Sequence, residues 1–481
     1  MKYYNQLIFD FSKEGRIGYA LRENAFAKVS LPSTLLRDND PELPQVSELD
    51  VVRHYTNVSQ KNFGIENGFY PLGSCTMKYN PKTNDELAML AGFSNIHPLQ
   101  PLNTTQGLLK IYHETQKMLA EISGLYAYSL NTFAGAHGEL AGLMIIKAYH
   151  QKNNDEKRNK IIIPDSAHGT NPASATVCGF ETLEIKSNLD GTVNLEALKA
   201  VLADDIAGLM LTNPNTAGAF EKDILEVSKL VHEAGGLLYY DGANLNALLG
   251  KAKPGDMGFD ITHINLHKTF STPHGGGGPG SGPVGVCEML KDFLPNPIVK
   301  EKDGVYYMDH SSDSIGFLGA FYGNASVYIR AYVYLLTYGR SHLSKIGPYA
   351  VLNANYIKES LKDVFELPIQ GHCMHEFVFD GLKDKSTGVK TLDIAKRLLD
   401  YGVHAPTIYF PLIFSQALMI EPTEGESKET LDHFIHVMRT VVKEALETPE
   451  LVKSAPHTTI VRRLDEVKAV KQPILKYRDI V

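Results

Sequence analysis

The chain has 481 residues, enough for about two to four domains, and its composition, 43% hydrophobic and 21% charged, is typical of soluble globular proteins. A formal net charge of −8 excludes the basic excess that nucleic-acid binders carry. The sequence has no run of about 18 apolar residues, and its amino terminus lacks the apolar core of a signal peptide, so we expect a cytoplasmic protein without a membrane segment.

The first part of the chain is predicted to be an extended arm. Residues 1–100 are rich in proline, asparagine and isolated aromatic residues, which favour turns and irregular segments over long regular elements. Arms of this kind often wrap around a partner.

The middle of the chain is predicted to form a large α/β domain, which we place at residues 101–330. Short apolar runs alternate there with amphipathic stretches of helical period, the pattern of βαβ units and a mainly parallel sheet. Asn194 and Asp223 are predicted to cap two of the intervening helices. The predicted strands are Ile161–Ile163, Ile206–Thr212, Leu237–Tyr240 and Ile261–Leu266.

A second, smaller domain is predicted towards the carboxyl terminus. A long apolar helix begins near Tyr328, within VYIRAYVYLLTYG, and marks the boundary between the two domains. Strand and helix signals beyond Pro348 predict a small α+β domain at residues 331–450. The charged residues 451–481 are expected to form a solvated tail.

The most informative stretch is NLHKTF at residues 265–270, followed by HGGGGPGSG at residues 274–282. Lys268 follows a predicted buried strand, where desolvation disfavours the charged form of an amine and suits that amine to imine formation. The consecutive glycines permit a close approach between backbone and ligand. They are also compatible with a flexible lid or a phosphate cradle, although the order GxxxxGK[ST] of a nucleotide loop is missing.

A carboxylate is expected close to this lysine. In YYDGAN, residues 239–244, an apolar strand ends at Asp241. Because the carboxyl ends of parallel strands meet in one crevice, Asp241 and Lys268 are expected to share a site. A carboxylate on the ring nitrogen of pyridoxal phosphate keeps that nitrogen protonated, so that the cofactor can accept electrons. The alternative for Asp241 is a turn or cap residue.

Two further motifs are expected to open into the same crevice. SAHGTNP, residues 166–172, contains His168, which could stack on a planar ring or relay protons; a structural histidine is the alternative. NTFAGAHGE, residues 131–139, leads into an apolar helical run. The start of such a helix is an anion site suited to a phosphate, or alternatively an ordinary glycine-rich helix start.

These four motifs, in this order, resemble the glycine dehydrogenase (decarboxylating) family, the P-protein of the glycine cleavage system. The resemblance covers most of the chain and includes YPLGSCTMKYN at residues 70–80, TNPNTAGAFE from Thr212 and EPTEGESKE from Glu421. In some organisms this enzyme is one chain of roughly twice this length and in others it is split into two subunits, of which this sequence resembles the second. Departures from the family pattern that remove no functional group are Thr272, Ser281 and Tyr79.

The resemblance implies a fold-type I architecture of the pyridoxal-phosphate (PLP) dependent transferases. This is an α/β fold with a mainly parallel, seven-stranded sheet in a large domain and a smaller α+β carboxy-terminal domain. The implied Schiff-base lysine is Lys268. Asp241 is implied to pair with the pyridine nitrogen, His168 to stack on the ring and take part in catalysis, and Thr216 to lie near the ring hydroxyl. The implied phosphate contacts are Gly135, Ala136 and His137.

The implied reaction decarboxylates glycine through an external aldimine of pyridoxal 5'-phosphate. It then transfers the aminomethyl group to the oxidised lipoyl arm of the H-protein and releases CO2, without a nicotinamide. The implied partners are glycine dehydrogenase subunit 1, in a heterotetramer with two copies of each subunit, and the lipoylated H-protein. The glycine tract is expected to line the channel for the lipoyl arm, so that replacing Gly276 and Gly277 by alanine should impair lipoyl transfer more than cofactor binding.

Two alternatives stay open from the sequence. Another fold-type I PLP enzyme, such as an amino-acid decarboxylase or a cysteine desulfurase, would share the lysine and the aspartate. No fitting reactive cysteine loop supports desulfuration, although the spacing alone leaves Cys373 open as its cysteine. A non-catalytic assembly subunit of the split enzyme would have no use for both Lys268 and Asp241. The four cysteines are widely spaced and form no CxxC pair, so we expect neither a bound metal nor a disulfide framework.

Overall fold

The computed structural model describes residues 5–19, 25–27, 29–275, 280–319 and 321–476. The chain divides into two compact units, Met1–Gly68 together with Thr458–Val481, and Phe69–His457. Within the described residues, no helix combines the length and the apolarity that crossing a bilayer requires.

The first unit contains few regular elements. Its longest helix is α1 (Glu48–Ser59), which Ser47 caps by accepting a hydrogen bond from the backbone N–H of Asp50 at 3.1 Å. Its other helices are the 3-10 helices Ile8–Phe11 and Ser33–Leu35 and the short helix Glu466–Lys471.

The second unit is built on a seven-stranded sheet. Its strands are β1 (Ala127–Ser129), β2 (Lys160–Pro164), β3 (Glu181–Ile185), β4 (Ile206–Thr212), β5 (Leu237–Gly242), β6 (Ile261–Ile264) and β7 (Val284–Val286). Their spatial order is β1-β7-β6-β5-β4-β2-β3, and β7 runs antiparallel to both of its neighbours while the pairs from β6 to β3 are parallel. The predicted mainly parallel, seven-stranded sheet is thus confirmed.

Both faces of this sheet are buried. Along β5, Leu237 and Tyr239 pack into one apolar cluster while Leu238 and Tyr240 pack into another, because successive side chains of a strand point to opposite faces. A sheet covered on both faces needs continuous apolar strands, which explains why these strands are visible in the sequence as unbroken apolar runs.

Helices cover the two faces and connect the strands. They are α2 (Lys82–Ala88), α3 (Ala91–Ser94), α4 (Gln106–Ser123), α5 (Gly135–Lys152), α6 (Thr170–Val177), α7 (Leu195–Val201), α8 (Ile224–Glu233) and α9 (Leu266–Thr269). Asn194 caps α7 as predicted, whereas Asp223 precedes α8 without a side-chain capping bond. A hairpin of β8 (Ile298–Lys302) and β9 (Val305–Asp309) follows. The 3-10 helices are Leu102–Thr104, Leu245–Leu248, Gly255–Met257 and Glu288–Phe293.

A smaller domain follows the long helix α10 (Ala325–Leu361), whose path breaks at Gly339, where φ is 59° and ψ is 176°. Its three-stranded sheet and its helices surround an apolar core of their own, which includes Phe379 and Phe434. The elements are β10 (Phe377–Asp380), α11 (Thr391–Asp400), β11 (Thr407–Ile408), β12 (Ala417–Ile420), α12 (Lys428–Glu447), α13 (Pro449–Lys453) and the 3-10 helix Lys385–Thr387. The proposed domain boundaries at residues 100, 330 and 450 stay predictions.

Candidate active site

Three neighbouring strands end at one edge of the large sheet and bring polar side chains together. In the strand register, Asp241 of β5 lies opposite Thr212 of β4 on one side and His263 of β6 on the other. The chain leaves β6 directly into α9, which carries Lys268. The predicted strand Ile261–Leu266 is therefore too long, since the lysine lies on a one-turn helix after the strand.

A cavity of about 180 Å³ opens at this edge. It contains six of the seven predicted site residues, and the seventh, His137, is not among its lining residues. His137 instead accepts a hydrogen bond from the backbone N–H of Phe133 at 3.2 Å, with the two rings nearly parallel. The cavity is lined by Ser74, Gly135, Ala136, Glu139, His168, Thr170, Thr212, Thr216, Asp241, Ala243, Asn244, Asn265, His267 and Lys268.

Lys268 is half-buried and faces this cavity. Its Nζ donates a hydrogen bond to the carbonyl oxygen of Ser74 at 2.9 Å. Among the lining residues that the structure describes, it is the one with an amine or guanidinium group. The amine is thus held at the cavity wall by a neutral acceptor, and no carboxylate of the described residues is within hydrogen-bonding distance of it.

Asp241 is 2% exposed and accepts two hydrogen bonds. Its carboxylate accepts from Asn171 Nδ2 at 3.1 Å and from the backbone N–H of Ala243 at 3.0 Å, and His263 Nε2 lies 3.4 Å away. Burial by itself raises the pKa of this carboxyl, but His263 and the two hydrogen bonds outweigh burial and hold the pKa below its ordinary value. Asp241 therefore presents a negative charge to the cavity.

His168 and Thr216 lie on the same cavity. Nδ1 of His168 is 2.8 Å from the hydroxyl of Thr170, and burial lowers the pKa of the ring, so that a neutral imidazole faces the cavity. The hydroxyl of Thr216 donates to the carbonyl of Ser166 at 2.6 Å.

Glu139 is a cavity residue for which the sequence predicted no role. It accepts hydrogen bonds from the Thr170 hydroxyl at 3.0 Å and from Asn171 Nδ2 at 3.1 Å. Burial, reinforced by the charge of Asp241, raises the pKa of Glu139 to about 7. Helical spacing could have identified it, because Glu139 lies four residues after Gly135 on α5 and so on the same face of that helix.

The start of α5 meets the cavity at Gly135 and Ala136. A Cβ atom on Gly135 would lie 2.5 Å from Asn265 Oδ1, so only glycine permits this close approach. The first N–H groups of a helix have no partner within the helix and carry its positive dipole end, which makes this wall suitable for an anion.

Two buried polar atoms on the cavity wall have no hydrogen-bond partner within the described part of the chain, namely Thr212 Oγ1 and Asn265 Oδ1. Such atoms are costly unless a ligand or water satisfies them. Together with an amine, a buried carboxylate and an anion-binding helix start, they fit a polar aldehyde cofactor that bears a phosphate and a basic ring nitrogen.

Gly276, Gly277, Gly278 and Pro279 of the glycine tract lie outside the described residues, so their predicted role in lining a channel stays a prediction. In the smaller domain, ligand atoms of His375, Glu376 and Glu421 lie within 4.8 Å of one another, a spacing suited to a metal ion. These three residues are fully buried and do not line the cavity.

Comparisons with known proteins agree on one family. The profile of the glycine cleavage system P-protein matches residues 16–304, and that of the glycine dehydrogenase C-terminal domain matches residues 347–461. The probable glycine dehydrogenase (decarboxylating) subunit 2 of Caldanaerobacter subterraneus subsp. tengcongensis is 61% identical to the chain, over 99% of each. The chain belongs to the glycine cleavage system P-protein family. The predicted resemblance to this family is confirmed.

Solved structures agree on the fold of this P-protein family member. A glycine decarboxylase (P-protein) of the glycine cleavage system, crystallised in inhibitor-bound form, superposes with a TM-score of 0.73 at 19% identity, covering 85% of this chain and 93% of that chain. The sphingosine-1-phosphate lyase of Burkholderia pseudomallei K96243 superposes with a TM-score of 0.63 at 15% identity, covering 90% and 95%. The expected fold-type I architecture is confirmed.

Proposed function

We propose that this chain is the cofactor-binding subunit of a split glycine dehydrogenase (decarboxylating). It decarboxylates glycine on pyridoxal 5'-phosphate, releases CO2 and passes the remaining aminomethyl group to the oxidised lipoyl arm of the H-protein. The observation that carries the proposal is that Lys268 and the charged Asp241 line one cavity at the carboxyl ends of the sheet, in a chain of the P-protein family.

Lys268 is the residue that would hold the cofactor aldehyde, since its amine is the one that lines the cavity in the described structure. Asp241 would face the ring nitrogen. When bound, pyridoxal phosphate supplies an electron sink for the pair of electrons that remains on the substrate carbon after the carboxylate leaves. The hydrogen bonds from Asn171 and Ala243 fix the orientation of the Asp241 carboxylate and keep it charged.

Neighbouring residues would orient the cofactor. The neutral ring of His168 offers a flat face next to the cavity, and Thr216 offers a hydroxyl. The N–H groups at the start of α5, at Gly135 and Ala136, would bind the phosphate, and His137 would contribute through its backbone, because its side chain is engaged with Phe133.

Glu139 is suited to store a proton beside this site. Its pKa of about 7 places its titration near neutral pH, and Asn171 connects it to Asp241. A carboxyl group that is protonated at neutral pH adds no second negative charge next to Asp241 and can donate a hydrogen bond. Glu139 thus keeps the charge of this wall close to that of one carboxylate.

The partners are part of the same proposal. The related protein is named subunit 2, which supports a first subunit as partner. We further propose two copies of each subunit in the assembly and the lipoylated H-protein as acceptor. A cytoplasmic location stays a prediction from the sequence.

The test is exchange of labelled bicarbonate with the carboxyl carbon of glycine, measured with this chain, the first subunit and the lipoylated H-protein together. We expect exchange that requires all three and that Lys268→Ala abolishes. Lys229→Ala, which removes an exposed lysine of α8, is the matched control and should leave the exchange unchanged. Absence of exchange with the complete mixture would contradict the proposal.

A further inference from the structure

The turn that holds the amine of Lys268 is itself strained. Ser74, whose carbonyl accepts the lysine amine at 2.9 Å, has a φ of 64°, and Thr76 has a φ of 48°. Neither residue is glycine, and a left-handed backbone at such residues costs free energy that neighbouring contacts must offset. Residues held in this way concentrate at functional sites.

The smaller domain supplies those contacts. The backbone N–H of Ser74 donates to Glu376 Oε2 at 2.7 Å, and that of Thr76 donates to Glu421 Oε2 at 2.9 Å. Gly73, just before the turn, packs so closely on β12 that a Cβ atom there would lie 2.2 Å from Cγ of Met419. The turn is therefore built onto the smaller domain, while the lysine that it holds belongs to the large one.

The two carboxyl groups are buried, and Oε1 of Glu376 accepts a further hydrogen bond from Asn244 Nδ2 at 3.2 Å. Both are 0% exposed, and His375, whose Nε2 lies 3.8 Å from each, has no hydrogen-bond partner at either ring nitrogen within the described part of the chain. Oε1 of Glu421 likewise has no hydrogen-bond partner among the described residues, and a buried acid in this condition is costly for stability, which points to a role in function.

We propose that Glu376 and Glu421 are positioning residues for Lys268: they fix the turn from Ser74 to Thr76 so that the Ser74 carbonyl receives the lysine amine whenever that amine is free. This inference rests on the proposed function, in which Lys268 is bonded to the cofactor at one stage and free at another. The turn gives the free amine a defined place 2.9 Å from the Ser74 oxygen. It also ties the position of the amine to that of the smaller domain.

The test measures how readily the Lys268 amine reacts in the full chain after hydroxylamine and dialysis have removed any bound aldehyde. Trace acetylation with acetic anhydride at fixed pH, followed by peptide mass spectrometry, gives the labelling of Lys268 relative to the exposed Lys229. Glu376→Met and Glu421→Met should each raise the labelling of Lys268 by about fivefold, the factor that loss of one ordinary hydrogen bond gives. Each variant removes both acceptor oxygens and keeps nearly the same volume.

Two controls separate positioning from general loosening. Lys358 is 1% exposed and lies on the end of α10 that packs into the core of the smaller domain, so its labelling reports whether that domain has opened. Glu450→Met removes an exposed carboxylate from the same domain and should change the labelling of neither lysine. Because the experiment uses protein without cofactor, its result does not depend on whether Lys268 carries pyridoxal phosphate.

Increased labelling of Lys268 with Lys358 unchanged would support the proposal. Unchanged labelling of Lys268 in both variants would overturn it, and so would a parallel rise in the labelling of Lys268 and Lys358. If neither variant folds, amide hydrogen exchange of the wild-type chain tests the proposal instead. The amides of Ser74 and Thr76 should be protected as strongly as the strands, and their exchange within seconds would overturn the proposal.

Discussion

Glu139 and Asp241 accept hydrogen bonds from the same amide nitrogen, Nδ2 of Asn171, at 3.1 Å each. The two buried carboxyl groups therefore influence each other, and their protonation states diverge: the pKa of Asp241 falls while that of Glu139 rises to about 7. Because the two pKa values shift in opposite directions, Asp241 is the group that carries the charge and Glu139 is the group that can carry a proton at neutral pH.

A pH-dependent stability follows for Glu139→Gln. Burial raises the pKa of Glu139 from 4.5 to about 7, so between these values the unfolded chain releases a proton that the folded chain retains. The free energy of unfolding of the wild type therefore falls as pH rises through this window, and glutamine removes that fall. Between pH 5 and pH 8, the free energy of unfolding of the variant should therefore rise relative to that of the wild type by on the order of 2 kcal/mol.

Chemical denaturation of both proteins at several pH values measures this difference. Glu196→Gln, which changes an exposed carboxylate on α7, is the control and should show no such trend. A difference between Glu139→Gln and wild type that is the same at pH 5 and pH 8 would mean that Glu139 has an ordinary pKa.

The charge of Asp241 should matter more than its shape. Asp241→Asn keeps the volume and an acceptor for the Ala243 N–H, but it removes the negative charge that would hold a proton on the ring nitrogen. We expect the rate of glycine–bicarbonate exchange to fall by about 100-fold or more, as is usual when a buried charged pair loses one partner. Asp256→Asn, at an exposed position of the same domain, should exchange at the wild-type rate. A near-normal rate for Asp241→Asn would remove this residue from the site.

Much of the large sheet was predictable because its strands are buried on both faces. Strand β4 has the predicted bounds, Ile206–Thr212, because an unbroken apolar run of this length is typical of a strand buried on both faces. The sequence did not predict the one-turn helix that carries Lys268, because such a helix has too few residues to produce a periodic pattern. Helix α1 is not predicted by the sequence, because the overall composition of residues 1–100 favours irregular structure.

The site residues also differ in how well the sequence predicts them. Lys268, Asp241 and His168 lie in short motifs of distinctive residue types, and the structure brings them to one cavity. Glu376 and Ser74 lie 302 positions apart in the sequence, so their contact depends on the packing of two domains and no local pattern encodes it.

Gly135 should be required for cofactor binding. In Gly135→Ala the new Cβ would lie 2.5 Å from Asn265 Oδ1, so the start of α5 or the wall at Asn265 must move away from the cavity. We expect the affinity for pyridoxal phosphate, measured by absorbance titration of cofactor-free protein, to weaken by about tenfold or more. Gly107→Ala on α4 is the matched control, because a Cβ there meets no atom within 4 Å and should leave the affinity unchanged. Equal affinities for the two variants would place the phosphate elsewhere.

The central claim is that Lys268 forms the covalent bond to the cofactor. The most direct measurement is reduction of the cofactor-loaded protein with borohydride, followed by digestion and mass spectrometry of the peptide that contains residues 265–270. The account predicts that the visible absorbance band disappears and that the pyridoxyl mass is found on Lys268. A pyridoxyl group on another lysine, such as Lys78, with Lys268 unmodified, would contradict it.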